Sequence, residues 1–337
     1  MAQTKITPAP HHPKVDDGNL PPCGCPTKAD MVLKIQPSMA QKMITPEKSD
    51  PHYQSLVPRT ARSRREFLVT TAIAGFAVSA GPIMAQTLIV TPADGLETGN
   101  IKLKAADGVE IPVYFAAPKK AGKYATVLVI PEIWGAHEHI KDVARRLALA
   151  GYMAIVTEPY SRIGDLTRLT EIKDVIAGAN KLSDDQCFAD LDRTVEWAAK
   201  HAKADVNRLG ITGFCRGGRT TWMYTAHNAR IKAGVAWYGG LNAAPPAMPL
   251  TPADIAAKLH APVLGLYGGA DNGIPPAAID KLNAALVAAG KDQQSKIHVY
   301  PGMPHAFNAD YRPSYRKEAA EDGWKRMLAW FKQNGVV

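Results

Sequence analysis

Cys215 stands in Gly213-Phe214-Cys215-Arg216-Gly217-Gly218, directly after a β-like run at 208–212 and before a helical spacing that starts near Arg216. A strand–Gly-x-Cys-x-Gly–helix turn is the pattern of a nucleophile elbow, with Cys in the place of Ser. Glycines at 213 and 217 remove Cβ atoms that would collide in so tight a turn, and the helix N-terminus beyond it favours an anion, so a thiolate is stabilised there. A lone cysteine otherwise reads as a small buried hydrophobe. Here the two glycines and the strand–helix setting point to the nucleophile.

A nucleophile needs a base, and the base an orienting group. Gly268-Gly269-Ala270-Asp271-Asn272-Gly273 offers Asp271 in a turn, and Tyr300-Pro301-Gly302-Met303-Pro304-His305 offers His305 in another. Alone, Asp271 reads equally as an Asx turn and His305 as a solvated imidazole. Both follow strand-like runs, in the nucleophile–acid–His order of α/β-hydrolases, and this predicts a Cys215–His305–Asp271 triad. At the end of the run 126–130 stands Pro131-Glu132-Ile133-Trp134-Gly135. The loop in this place supplies one oxyanion-hole N–H and the residue after the nucleophile the other, which nominates the backbone amides of Ile133 and Arg216.

Other chemistries fit the residues less well. His137-Glu138-His139 holds metal-capable side chains, but positions i and i+2 on a helix start do not face the same way, so a shared zinc is not expected. Cys23-Gly-Cys25 has no second Cys/His pair at zinc spacing, and four cysteines are too few for a disulfide framework. The glycines at 213–218 lack the Gly-Lys-Ser/Thr ending of a phosphate loop. The expected chemistry therefore uses no cofactor and no metal.

The elements that must position these groups read as one alternating domain over 86–337. Runs at 101–104 and 110–116 flank Asp107-Gly108 and predict an edge hairpin. Strands are expected at 126–130, 152–157, 208–212, 233–238, 263–267 and 296–300. Helices are expected at 139–150, 184–201, 216–227, 276–289 and from about 314 to 333. This alternation predicts the α/β-hydrolase fold class, a mostly parallel central sheet with helices on both faces. In such a sheet the ligand sits beyond the carboxyl ends of the strands, where the loops after 130, 212, 267 and 300 lie.

The formal charge of the 337 residues is +9, with 46% apolar and 21% charged side chains. Residues 1–85 hold ten of the 40 Lys/Arg and six of the 31 Asp/Glu, leaving 30 against 25 in the body. No basic run interleaved with aromatics occurs there, so nucleic acid is not an expected partner. Residues 1–62 are Pro-, Lys- and Asp-rich without apolar period, the composition of a disordered leader. Residues 63–85 combine Ser63-Arg64-Arg65-Glu66-Phe67-Leu68 with about a dozen uncharged residues, too short to span a bilayer. This predicts a twin-arginine export signal, hence the export machinery as a partner, a periplasmic location and no stable membrane span. An amphipathic helix in the cytoplasm is the other reading, and Met39 or Met43 is an alternative start.

The body resembles the dienelactone hydrolase (carboxymethylenebutenolidase) family over roughly residues 100–335. The carriers are Glu132-Ile133-Trp134-Gly135, Gly213-Phe214-Cys215-Arg216-Gly217-Gly218, Gly269-Ala270-Asp271 and His305-Ala306-Phe307. The resemblance implies that Cys215, Asp271 and His305 are the triad and that Glu132 contacts the resting thiol. Family members of the chloroaromatic pathway hold the substrate carboxylate with an arginine four residues after the catalytic His, where this chain has Ala309. Arg162, Arg168 and Arg312 are candidates to supply that charge, and Trp134, Arg162 and Arg312 are candidate substrate contacts. The expected function is hydrolysis of a small-molecule lactone or ester through a thioacyl-enzyme. A broad carboxylesterase, and a ligand-binding or redox-sensing module in which Cys215 is oxidised, are the alternatives.

Overall fold

Tyr124–Ile130 forms strand β3, and every residue after Tyr124 is buried, as a strand covered on both faces requires. The computed structural model describes residues 87–242 and 246–337. The expected leader (1–62) and export signal (63–85) lie outside the described residues. The other strands are β1 (Leu96–Lys104), β2 (Glu110–Pro118), β4 (Met153–Thr157), β5 (Ala204–Phe214), β6 (Ile231–Trp237), β7 (Val263–Gly268) and β8 (Lys296–Tyr300). They make one eight-stranded sheet in the order β1-β2-β4-β3-β5-β6-β7-β8. The β1–β2 hairpin forms the expected antiparallel edge, with Gly108 of its turn at φ 87°. β2 also pairs antiparallel with β4, and all remaining pairs are parallel.

The helices are α1 (Glu138–Leu149), α2 (Ile172–Ala179), α3 (Asp184–Ala198), α4 (Arg216–His227), α5 (Pro276–Ala288) and α6 (Lys317–Gln333). A capping box starts α3: the Ser183 hydroxyl accepts from the Gln186 N–H, and the Gln186 side chain reaches back. On β6, a Cβ at Gly234 would meet Thr221 and Thr225 of α4, while three residues on Trp237 presses against Gly323 of α6. Residues an odd number apart on a strand point to opposite faces, so α4 and α6 cover the sheet from opposite sides.

Several elements differ from the sequence expectations: β1 begins at Leu96 rather than 101, β5 at Ala204 rather than 208, and α3 ends at Ala198 rather than 201. Helix α2 was not expected, because eight residues including Gly178, with Ile172 and Ile176 more than 40% exposed, carry little apolar periodicity. Helix α6 begins at Lys317 rather than near 314, because the Arg316 N–H turns back to donate to the Phe307 carbonyl at 2.9 Å.

Register then sets where the chemistry lies. Ile130 pairs with Gly213, Phe214 with Trp237, and Gly268 with Tyr300. The carboxyl ends of β3, β5, β6, β7 and β8 therefore share one rim, and their loops meet there.

Candidate active site

Cys215 joins β5 to α4 at φ 54°, ψ −114°, a conformation that costs a non-glycine residue of the order of 1–3 kcal/mol. The turn closes because its neighbours lack side chains. A Cβ on Gly213 would lie 2.1 Å from the Gly217 carbonyl oxygen, and one on Gly217 would lie 2.2 Å from that of Ile130. The Cys215 N–H donates to the Trp237 carbonyl at 3.0 Å, and its carbonyl accepts from Gly218 and Arg219 in the first turn of α4. Cys215 is half-buried with a free thiol. Among the described residues, non-glycine positive φ occurs only at Cys215, Tyr238 and Ala306. The first ends β5, the second follows β6 and the third follows His305, so the strain is gathered at this rim.

The loops after β7 and β8 are tied together by Gly269 N–H to the Tyr300 carbonyl and Ala270 N–H to the Met303 carbonyl. This places His305 Nδ1 2.6 Å from Asp271 Oδ2, while Asp271 Oδ1 accepts from the Gly273 N–H at 2.9 Å. The two readings of Asp271 thus coexist: one oxygen closes an Asx turn and the other orients the imidazole. Asp271 holds one ring nitrogen and leaves the second for Cys215. Burial works against a charged His305, but the Cys215 sulfur and the bonds to Asp271 and Cys215 outweigh it and raise the pKa to about 10.

Across the rim, the turn after β3 is closed by the Gly135 N–H donating to the Glu132 carbonyl at 3.1 Å, with Ile133 and Trp134 between them. Neither the Ile133 amide nor the Arg216 amide donates to another group among the described residues. Glu132 is fully buried, accepts a 2.6 Å bond from the Tyr311 hydroxyl, and lies 3.3 Å from His137 Nε2. Burial opposes its charge, yet the bond from His137 and the fields of His137, His139 and Arg312 hold its carboxyl down at about 2. Its other oxygen, Oε1, accepts no bond among the described residues. Glu132 is thus bonded to Tyr311 and lies against His137, and the expected contact with the Cys215 thiol is not among its hydrogen bonds.

The candidate arginines separate. The Arg312 guanidinium lies 5.3 Å from the centre of the buried Trp134 ring, a cation–π contact at the rim. Arg162 is instead occupied by Asp190 at 2.6 Å and by Asp107 of the hairpin turn. Arg168 is exposed and bonded to Asp165. His139 binds Asp310 at 3.1 Å, and Asp310 also binds Arg146, which reaches Asp142; all four are buried. This network ties α1 to the loop that carries His305 and Tyr311.

The sequence alone missed Tyr238, Tyr311, Asp310 and the pairing of His137. Tyr238 packs edge-on against the His305 ring at 5.1 Å between centroids. None of them lies in a motif, and the Tyr311–Glu132 bond joins residues 179 apart in the chain. Cys187, by contrast, is a buried thiol on α3, pushed up to about 12 by its burial.

The sequence pattern of the dienelactone hydrolase family matches residues 111–335. A protein of Methylorubrum extorquens (strain AM1) named "Putative carboxymethylenebutenolidase" is 53% identical over 290 residues, covering 86% of this chain and 99% of that protein. An Escherichia coli (strain K12) protein of the same name is 48% identical over 271 residues, covering 80% of this chain and 98% of its own. The crystal structure of a Klebsiella pneumoniae protein, described as a "Putative Dienelactone Hydrolase", aligns with TM-score 0.67 at 48% identity, covering 71% of this chain and 99% of that one. Because the family pattern takes in both ends of the sheet's rim and the relatives match along almost their whole lengths, this chain belongs to the dienelactone hydrolase family.

Proposed function

We propose that the chain hydrolyses small lactones or carboxylic esters through a thioacyl-enzyme on Cys215. The observation that carries this reading is an elbow cysteine at φ 54° on the same rim as a His305 whose Nδ1 is held 2.6 Å from Asp271. The Cys215 thiolate attacks the acyl carbon; a C–S bond forms and the carbonyl π pair moves to oxygen. The oxyanion is received by the Ile133 and Arg216 amides, donors left unused by the fold. Collapse expels the alkoxide, which takes the proton of His305; in a lactone this oxygen stays tethered to the acyl group. Neutral His305 then removes a proton from water, hydroxide adds to the thioester, and collapse releases the carboxylic acid and restores thiolate and imidazolium.

Arg312, stacked on Trp134, supplies the charge that Ala309 lacks, so substrates bearing a carboxylate are accepted beside neutral esters. Hydrolysis of p-nitrophenyl acetate tests the mechanism. Cys215→Ala lowers it by at least about 10³-fold with the fold intact, and iodoacetamide abolishes it in the wild type. Retention of more than about a tenth of the wild-type rate overturns the covalent mechanism.

The reading extends to residues 63–85, proposed as a twin-arginine signal that sends the domain to the periplasm. Among the described residues no helix is long and apolar enough to cross a membrane. Replacing Arg64 and Arg65 together by Lys holds a reporter fusion in the cytoplasm; unchanged export overturns the assignment.

A further inference from the structure

The turn that offers the Ile133 amide is gripped at both ends by carboxylates, one buried and one half-buried. At its first residue, Glu132 is fixed by Tyr311 and His137. Just past its last residue, the Ala136 N–H donates to Glu158 Oε2 at 2.6 Å, and the Tyr160 N–H donates to Glu158 Oε1 at 2.9 Å. Glu158 directly follows β4, the strand beside β3, so both its bonds are to the backbone of rim loops. Gly135 shows how close the fit is: it sits at φ 81°, and a Cβ there would lie 2.4 Å from a Glu158 oxygen.

We propose that Glu158 is a positioning residue for the oxyanion hole: its carboxylate, accepting from Ala136 and Tyr160, fixes the 132–135 turn so that the Ile133 amide faces the developing oxyanion. The inference rests on the acyl-transfer reading above. It needs both carboxylate oxygens as acceptors, because each faces an N–H. Protonation leaves one oxygen as a hydroxyl, a much poorer acceptor for the N–H it faces, and one of the two clamps is weakened.

Burial pushes the Glu158 carboxyl up to about 7, with Asp165 adding to the rise and Lys141 and the two backbone bonds opposing it. Lys102 of β1 and Glu110 of β2 line the same cavity beside Trp134 and Ser161. The clamp is therefore whole above pH 7 and loosened below it.

Two reactions of the same thiol separate this role from a general loss of structure. Alkylation of Cys215 by iodoacetamide forms no oxyanion, whereas hydrolysis of p-nitrophenyl acetate does. In Glu158→Gln, which places an amide NH2 where an acceptor is needed, kcat for hydrolysis falls about 10- to 100-fold, part of the cost of removing such a donor outright. The alkylation rate stays within about twofold of the wild type, as an intact thiolate requires. The wild-type acid limb in kcat near pH 7 is flattened in Glu158→Gln and is absent from the alkylation profile of both. Gly135→Ala, which pushes on the same carboxylate from the turn side, gives the same split and serves where Glu158→Gln does not fold. Equal loss of hydrolysis and alkylation, or unchanged hydrolysis, overturns the positioning role. Cys215→Ala measured alongside reports separately on the nucleophile.

Discussion

The two sides of the rim solve opposite problems. In the proposed mechanism the side formed by the loops after β5, β7 and β8 makes charge, with an imidazole whose pKa is raised to about 10. In that mechanism the side formed by the turn after β3 receives charge, with main-chain amides whose supports are one buried and one half-buried carboxylate. Glu132 and Glu158 support the same turn, yet one carboxyl is held near 2 and the other pushed to about 7. Burial raises both. What separates them is company: Glu132 has the Tyr311 hydroxyl, an imidazole and the Arg312 field, while Glu158 has two backbone N–H groups and a neighbouring acid. Charge made on one side depends on side chains that cannot be replaced; charge received on the other depends on supports that can be loosened by degrees.

Losses should therefore be all-or-none on the first side. His305→Ala and Asp271→Asn each lower kcat by about 10³-fold or more, and either combined with Cys215→Ala costs little beyond Cys215→Ala alone, because the three act as a unit. Additive losses in steady-state kinetics would contradict the triad. On the receiving side, Tyr311→Phe removes one bond to a buried anion. It lowers kcat about tenfold and destabilises the fold by about 1.5–3 kcal/mol in urea titration; an unaltered midpoint would break the contrast.

Arg312→Ala sharpens the comparison at the substrate end. It raises KM for a carboxylate-bearing lactone by about tenfold, roughly one charged contact, while KM for a neutral ester stays put. Arg162→Ala, at a guanidinium already taken by two carboxylates, changes neither by more than about twofold. An anionic preference that vanished in Arg162→Ala instead would reverse the assignment.

The smallest effect is a pH window. The folded-state pKa of His305 is raised above its ordinary 6.5 to about 10. The stability this charge contributes is therefore complete below about 6.5 and is lost as the pH rises through 10. The difference in Tm between wild type and Asp271→Asn should be greatest below pH 6.5 and shrink above pH 10. In Cys215→Ala, proton NMR should find His305 titrating closer to 6.5, since the sulfur contributes most to its rise.

The same asymmetry governs what could be read beforehand. Cys215, Asp271 and His305 announce themselves because each sits on a loop bracketed by glycines or turn residues directly after an apolar run. The sheet was legible for the same reason, and α4 and β8 begin and end where the spacing predicts, at Arg216–His227 and Lys296–Tyr300. Tyr311, Asp310 and Glu158 carry no such mark. Each is a single polar residue whose meaning is a bond to a distant part of the chain, as between Ala136 and Glu158 or His139 and Asp310. The carboxylate partners of Arg162 were equally hidden: they come from a hairpin turn and from α3, elements that only folding brings together.

The segment from Ala306 to Tyr311 has no regular secondary structure, yet all six residues are at most 3% exposed. Within it the Ala309 N–H donates to the Ala306 carbonyl, and the carbonyls of Ala309 and Phe307 accept from the N–H groups of Arg312 and Arg316. Anchored through Asp310 to Arg146 and His139, the segment has no local way to open. The Ala309 amide proton, bonded inside the segment, should exchange with deuterated solvent as slowly as those of β5, through unfolding of the whole domain rather than by fraying. A loop by shape, it belongs by stability to the last part of the molecule to come apart.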